Sequence, residues 1–188
     1  MAILSEVVKQ QIGEKDSKSF PILTQIADSA RDLVGSMRDI VWSTDPRHDD
    51  LQNLVSRIRQ FGSDVLEAKG IKWEFQVPAH LEKVRLEPDQ RRHLFLILKE
   101  AINNSARHSD CKAVALCLNL ERQTLKAELR DDGSGFSLAQ ARSSGNAKQG
   151  QGLHGMELGA VELGAKLIIE TAAGVGTKII LTVPLRSR

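Results

Sequence analysis

The stretch SSGNAKQGQGLHGM, residues 143–156, decides between two folds. Gly150-Gln151-Gly152-Leu153-His154-Gly155 spells G-x-G-x-x-G, and Glu170 follows at the distance expected of the ribose-binding acid in a dinucleotide-binding βαβ unit. Such a unit needs a strand running straight into the first glycine, because that strand aims the next helix N-terminus at the pyrophosphate. Here the preceding residues are SSGNAKQ, from which no buried strand can be drawn. The motif also comes too late to leave chain for the rest of a doubly wound sheet. What survives is a glycine-opened helix start that offers backbone N–H groups to an anion, with a plain turn-and-cap role as the alternative.

Working outward, GLHGMELGAVELGA reads as a helix, and KLIIET and TKIILTVPL as a closing strand pair. Upstream, Asp131 to Gln151 is polar, without periodicity, and reads as a long loop. Before it, CKAVALCLNL and TLKAELR alternate as strands, a helix runs from Pro88 to about Ser109, and IKWEFQV is a further strand. An amphipathic helix, DDLQNLVSRIRQFGSDVLEAKG, precedes that strand, with Asp49 or Asp50 as N-cap and Gly70 as its stop. The order predicts an α+β fold, a two-layer α/β sandwich with a mixed, mostly antiparallel sheet covered by helices on one face.

In the N-terminal part, Leu23, Ile26, Ala30, Leu33, Met37 and Ile40 recur at intervals of 3 and 4 on a helix between Ser19 and Pro46. A shorter apolar pattern, ILSEVVKQQI, precedes it, so the region reads as a helical hairpin. Residues 1–47 are taken as this hairpin and residues 48–188 as the second domain. A seam with little chain to cover it predicts a homodimer through the N-terminal helices; a helix lying on the downstream domain is the alternative.

The chain has 188 residues, 41% apolar and 27% charged, with a formal net charge of +2. These values describe an ordinary globular protein and supply no electrostatic signature of nucleic-acid binding. No run of about 20 apolar residues predicts membrane contact. Cys111 and Cys117 fall on one face of an alternating stretch and read as small buried hydrophobes, which suits a reducing, cytoplasmic compartment.

Three further stretches carry chemistry. In LKEAINNSARHS, residues 98–109, a helical wheel puts Leu94, Ile97, Leu98, Ala101 and Ser105 on the buried stripe, with Glu100, Asn104 and His108 along one margin. An amide oxygen beside a carboxylate suits Mg²⁺, which takes oxygen ligands and leaves positions for water and phosphate. In RDDGSGF, Asp131 ends a strand, and an ionised carboxylate there can accept from an exocyclic amine such as that of adenine. Gly133 and Gly135 let the chain turn and a flat ring approach. In GVGTKIILTVPL, Thr177 stands at the mouth of the last strand.

These four stretches, in this order, resemble the ATP-binding domain of sensor histidine kinases, whose fold also serves the gyrase, mismatch-repair and chaperone ATPases. LKEAINNSARHS resembles the N box, DDGSGF and GQGLHGM the two glycine boxes, and GVGT the terminal glycine-threonine element. MRDIVWSTDPRHDDLQNLVSRIRQF resembles the junction between dimerisation hairpin and ATPase domain in the kinases typified by nitrate/nitrite and membrane-fluidity sensors. The resemblance implies ATP and Mg²⁺ as cofactors. It assigns Asn104 to the metal, Glu100 to a metal-bound water or a catalytic base, and Asp131 to adenine N6. Gly133 and Gly135 would shape the adenine pocket, with Thr177 at the adenine end. Arg107 and His108 would approach the phosphates, which the amides around Gly150, Gly152, Leu153, His154 and Gly155 would cradle. Residues 137–149 would form a lid over the nucleotide.

The resemblance also implies phosphoryl transfer to a histidine, then relay to a response-regulator receiver domain. The family's acceptor lies on the first hairpin helix, whereas the first histidine here is His48. The chain is therefore expected to be a fragment that begins past its acceptor and does not autophosphorylate. Glu157-Leu158 also departs from the E-R pair common after the second glycine box. Two other readings stand beside this one: an anti-sigma-factor-type serine kinase on the same ATPase fold, and a non-enzymatic dimeric interaction module.

Overall fold

The computed structural model describes residues 50–78, 81, 84–143 and 147–185, together with helical positions between Ile26 and Trp42. The chain divides into two compact units, Met1–Asp45 and Pro46–Arg188. In the first, Ile26 and Met37 of the heptad seam are helical and exposed, at 48% and 67%, as are Val34 and Val41, whereas Ala27 is buried. Leu23, Leu33 and Ile40 of the seam, and the shorter pattern before it, lie outside the described residues.

The second unit begins with α1, Leu51–Gly62, capped by Asp50, whose carboxylate accepts from the amide of Asn53 at 2.7 Å. Such a cap is worth about 1 kcal/mol. Leu51, Leu54, Val55 and Ile58 are buried at helical spacing. The helix widens into a π-helical turn, Ser63–Glu67, and the segment ends at Gly70, which takes φ +70°. Strand β1, Lys72–Gln76, follows, and then α2, Pro88–His108, with Pro88 in its first turn. Strands β2, Ala113–Glu121, and β3, Thr124–Asp131, form a hairpin. A short helix α3, Leu138–Ser143, and the longer α4, Ala147–Glu162, lead to β4, Lys166–Ala172, and β5, Gly176–Pro184.

The five strands lie in the order β1-β2-β3-β5-β4. Only β1 and β2 run parallel, and the other three pairings are antiparallel, as expected. Alternation decides which face is covered. Val114, Leu116, Leu118, Leu125, Ala127, Leu129, Ile179, Leu181 and Val183 are all buried, and their neighbours in sequence point the other way. Leu94, Ile97, Leu98 and Ala101 of α2 are buried too, and α2 packs between α1 and α4. The opposite sheet face carries charge: Glu128 lies 3.2 Å from Arg130, 3.6 Å from Lys126 and 3.8 Å from Lys178. These pairs, built on a half-buried Glu128 with Arg130 and Lys126 exposed, contribute little stability.

Two sequence expectations need revision. The segment from Asp131 to Gln151 is not one loop: α3 lies within it, and α4 starts at Ala147, ahead of the glycines expected to open it. The two cysteines do not share a face. β2 begins only at Ala113, after a turn in which Asp110 takes φ +52°, so strand parity does not reach Cys111, which is buried, while Cys117 is half-buried on the charged face. On α1 the guanidinium groups of Arg57 and Arg59 lie 4.8 and 4.9 Å from the ring centroids of Phe95 and Phe75.

Candidate functional site

Strand β3 sends Leu125, Ala127, Leu129 and Asp131 to the covered face in turn. The fourth of these is polar, and it is only 9% exposed. A carboxylate in that position must be hydrogen-bonded, and three donors converge on it. Its Oδ1 accepts from the amides of Gly133 and Thr177, each at 3.1 Å, and its Oδ2 accepts from the hydroxyl of Ser105 at 2.9 Å. The register explains the second amide, since Thr177 of β5 faces Asp131 across the ladder. Gly176, just before it, takes φ +85°, and a Cβ there would run into the Asp131 carbonyl oxygen. No other residue fits without displacing the strand end.

Around this carboxylate the backbone is tied down by groups the sequence reading passed over. Ser109 accepts the amide of Ser134 at 2.7 Å through its carbonyl, and its hydroxyl donates to the Ser105 carbonyl, also at 2.7 Å. Thr171 of β4 accepts from the Phe136 amide at 3.1 Å and donates to the Gly176 carbonyl at 3.1 Å. Asp132 accepts the amides of Ala113 and Lys112 at 2.9 and 2.8 Å, joining the end of β3 to the start of β2. The Ala113 bond foremost holds its carboxyl below the usual carboxylate range. Cys111 is buried behind Ser105 and Ser109, and desolvation pushes its thiol up, so it stays protonated and inert. Paired hydroxyl and carboxylate residues at strand ends were the available signal for these positions, and they are too common in turns to be read alone.

A cavity of about 370 Å³ opens beside Asp131, between α2, the chain after β3, and α4. That volume is ligand-sized. Asp131, Ser105 and Thr177 form one polar group in its lining, and Ile169, Ile179, Met156 and Phe136 supply apolar walls. Glu100, Asn104 and His108 form a second polar group, so the whole predicted margin of α2 meets the cavity. Gly152 closes on that group from α4: a Cβ there would strike the Glu100 carboxylate and would lie 3.6 Å from the Asn104 amide nitrogen.

Of the residues singled out from sequence, Glu100, Asn104, His108, Asp131, Gly135, Gly152, Leu153 and Thr177 line this one cavity. Gly133 is outside the lining, and its amide donates to Asp131, which is in it. Arg107, His154 and Gly155 are exposed and outside the lining. Gly150 and the amides of Gly152, Leu153 and His154 fall within α4, where helical amides bond back to carbonyls four residues earlier.

The Glu100 and Asn104 oxygens suit a hard cation. Among the described residues no three His, Cys, Asp or Glu side chains cluster to cage a metal by themselves. A donor set of one carboxylate and one amide fits Mg²⁺ shared with phosphate oxygens, and does not fit an all-protein zinc or calcium site.

Residues 89–187 match the model of the family described as histidine kinase-, DNA gyrase B-, and HSP90-like ATPase. The chain is 25% identical to the sensor histidine kinase LiaS of Bacillus subtilis (strain 168) over 97% of its own length and 52% of that relative. It is 30% identical to the histidine-protein kinase/phosphatase DegS of the same organism, over 73% of its length and 35% of DegS. The chain thus spans about half, or less, of these curated relatives. Among solved structures, the blue-light activated histidine kinase of Erythrobacter litoralis superposes with a TM-score of 0.66 at 20% identity, over 86% of this chain and 50% of that one. The Acinetobacter baumannii histidine kinase AdeS does so with a TM-score of 0.64 at 15% identity, over 100% and 96%. These two likenesses speak for the fold. No helix among the described residues is long and apolar enough to cross a membrane.

Proposed function

The chain belongs to the histidine kinase-, DNA gyrase B-, and HSP90-like ATPase family, and from that premise we propose that it is the ATP-binding catalytic part of a two-component sensor histidine kinase. The observation that carries this reading is the Asp131 carboxylate, held by three donors at a cavity whose second polar group is Glu100 and Asn104.

In this reading the Asp131 carboxylate accepts from the 6-amino group of adenine, and Gly133 and Gly135 shape the turn beside the ring. Thr177 steadies Asp131 through its amide, with its own hydroxyl 3.4 Å from that of Thr171. Ile169, Ile179 and Met156 exclude water from the ring faces. Asn104 and Glu100 hold Mg²⁺, which when bound neutralises charge on the triphosphate. Arg107 and His108, at the C-terminal end of α2, approach the phosphates from outside the apolar wall. Gly150 to Gly155 reach the phosphates with their amides once the first turns of α4 open, and residues 137–149 form the lid over them. Catalysis by this domain is positioning of the γ-phosphoryl group, not covalent chemistry.

The acceptor in this reading is a histidine other than the five in this chain, none of which precedes His48. Relay then goes to a receiver domain. The exposed Ile26, Val34, Met37 and Val41 support a homodimer built through the N-terminal helices. Domain limits of 1–47 and 48–188 follow the same division of labour. Titration with a fluorescent adenine nucleotide, with and without Mg²⁺, tests the reading. Saturable, Mg²⁺-dependent binding that unlabelled ATP displaces is expected. Absence of binding at millimolar nucleotide would leave the cavity without this function.

A further inference from the structure

The chain between β3 and α3 belongs to no regular element, so its amides must find partners one by one. Gly133 donates to Asp131, and Ser134 donates to the Ser109 carbonyl at 2.7 Å. The turn between β4 and β5 closes on the same stretch. Gly174 donates to the Ser134 carbonyl at 2.6 Å, and Gly135, at φ +61°, lies so near the Ala172 carbonyl that a Cβ would run into it. The last tie is the Phe136 amide, which donates to the Thr171 hydroxyl at 3.1 Å.

Valine or isoleucine would suit strand β4 as well as threonine does, so the hydroxyl is what distinguishes this residue. Its proton goes to the Gly176 carbonyl at 3.1 Å while a lone pair takes the Phe136 amide. One hydroxyl thus joins both strands of the β4–β5 hairpin to the residue that leads into the segment over the cavity. Thr171 lies outside the cavity lining, whereas Phe136 lies in it, followed by Ser137, Gln140 and Ala141. Beyond Phe136 the support changes. α3 has six residues, too few for a helix that is stable on its own. Ser137 caps it, accepting the Gln140 amide at 3.4 Å through its hydroxyl and the Ala141 amide at 3.0 Å through its carbonyl. A marginal helix therefore starts from a firmly tied residue.

We infer that Thr171 is a positioning residue: it fixes Phe136 as the pivot on which α3 swings over bound nucleotide. The inference rests on the proposed nucleotide site and adds to it a hydroxyl that does not touch the ligand. Thr171→Val keeps the shape of the side chain but leaves the Phe136 amide and the Gly176 carbonyl without this partner, and Thr171→Ser restores both bonds.

The test is limited trypsin digestion, because Arg142 places a cleavage site within α3. The rate of cleavage there is measured without nucleotide and with near-saturating Mg-ATP, set from each protein's own Kd so that occupancies match. Thermal unfolding confirms that each protein is folded at the assay temperature. Mg-ATP is expected to slow cleavage at Arg142 by about tenfold or more in wild type and Thr171→Ser, and by less than about twofold in Thr171→Val. A loss of stability alone would speed both rates and keep their ratio. Should Thr171→Val fail to fold, Thr171→Cys, with a weakly hydrogen-bonding thiol, takes its place with the same expectation. A wild-type ratio in Thr171→Val or its substitute, a Thr171→Ser that loses protection, or a wild type that binds ATP without protecting Arg142 overturns the inference and leaves the nucleotide site standing. If wild type does not bind ATP, the site itself fails and the inference with it.

Discussion

The amide of Thr177 donates to Oδ1 of Asp131 at 3.1 Å, so the residue at the mouth of the last strand holds the carboxylate at the end of β3. Asp131 is thus a structural node as well as a candidate ligand, and two substitutions separate the roles. Asn keeps an oxygen for the Gly133 and Thr177 amides but turns an amide nitrogen to the Ser105 hydroxyl, which can accept as well as donate. Asp131→Asn is expected to fold with a loss of about 1–2 kcal/mol while losing adenine-nucleotide binding by more than tenfold. Asp131→Ala strands all three donors and should lose about 2–4 kcal/mol. Denaturant unfolding and nucleotide titration of both variants check this. ATP affinity unchanged in Asp131→Asn would remove the carboxylate from base recognition.

Asn104 stands on the margin of α2, half-buried, against Gly152 and outside the apolar stripe. Its removal should cost stability little, within about 1 kcal/mol. Asn104→Ala is expected to weaken nucleotide binding at least tenfold in Mg²⁺, and to match wild type once EDTA removes the metal. The convergence in EDTA is the informative measurement. A deficit that persists there would assign Asn104 to the nucleotide or to the fold, and not to the metal.

The sequence made the frame of the second unit legible because its elements obey simple periodicities. Alternation in CKAVALCLNL and TLKAELR gives both strands, and the stripe Leu94, Ile97, Leu98, Ala101 gives the buried face of α2. Once that face is known, the margin carrying Glu100, Asn104 and His108 follows. Less was legible where tertiary contacts override local preference. α3 has six residues, too few for a period, and α4 begins ahead of its glycines although each glycine disfavours helix. Ser105, Thr171 and Asp132 act by reaching residues 26, 6 and 20 positions away or on neighbouring strands, and spacing along one chain does not reveal such pairs.

The glycines of α4 give a pair of opposed outcomes. At Gly155 a Cβ would meet no atom within 4 Å, so Gly155→Ala removes a helix-weakening residue without a clash. It should stabilise the fold by about 0.5–1 kcal/mol, raising Tm by a few degrees. If phosphate binding opens the first turns of α4, the same energy opposes it, and ATP affinity should fall about two- to fivefold. At Gly152 a Cβ would strike the Glu100 carboxylate, so Gly152→Ala should lower Mg²⁺-dependent affinity by more than tenfold without raising Tm. Calorimetric Tm and nucleotide titration on both variants decide the matter. Unchanged affinity in a stabilised Gly155→Ala would mean that α4 binds phosphate without unwinding.

Asp132 links the site to pH. The amides of Ala113 and then Lys112 hold its carboxyl below the ordinary 3.8, while in the unfolded chain the group returns to about that value. A depressed folded pKa means that the unfolded state binds the proton more readily. The contribution is therefore complete above about pH 4 and is lost as pH falls through the lower, folded value. Asp132→Asn leaves an oxygen for the two amides but removes the charge. Wild type is expected to exceed this variant in stability at pH 6, with the two unfolding midpoints converging as pH falls well below the ordinary 3.8. Because Asp132 anchors the turn after Asp131, the variant should also bind ATP somewhat more weakly at pH 6, by about two- to threefold. Urea midpoints measured between those pH values check the first part. A gap that stays constant across the range would show that the Ala113 and Lys112 bonds do not depend on the charge of Asp132, and the acid sensitivity of the fold would then lie in other carboxylates.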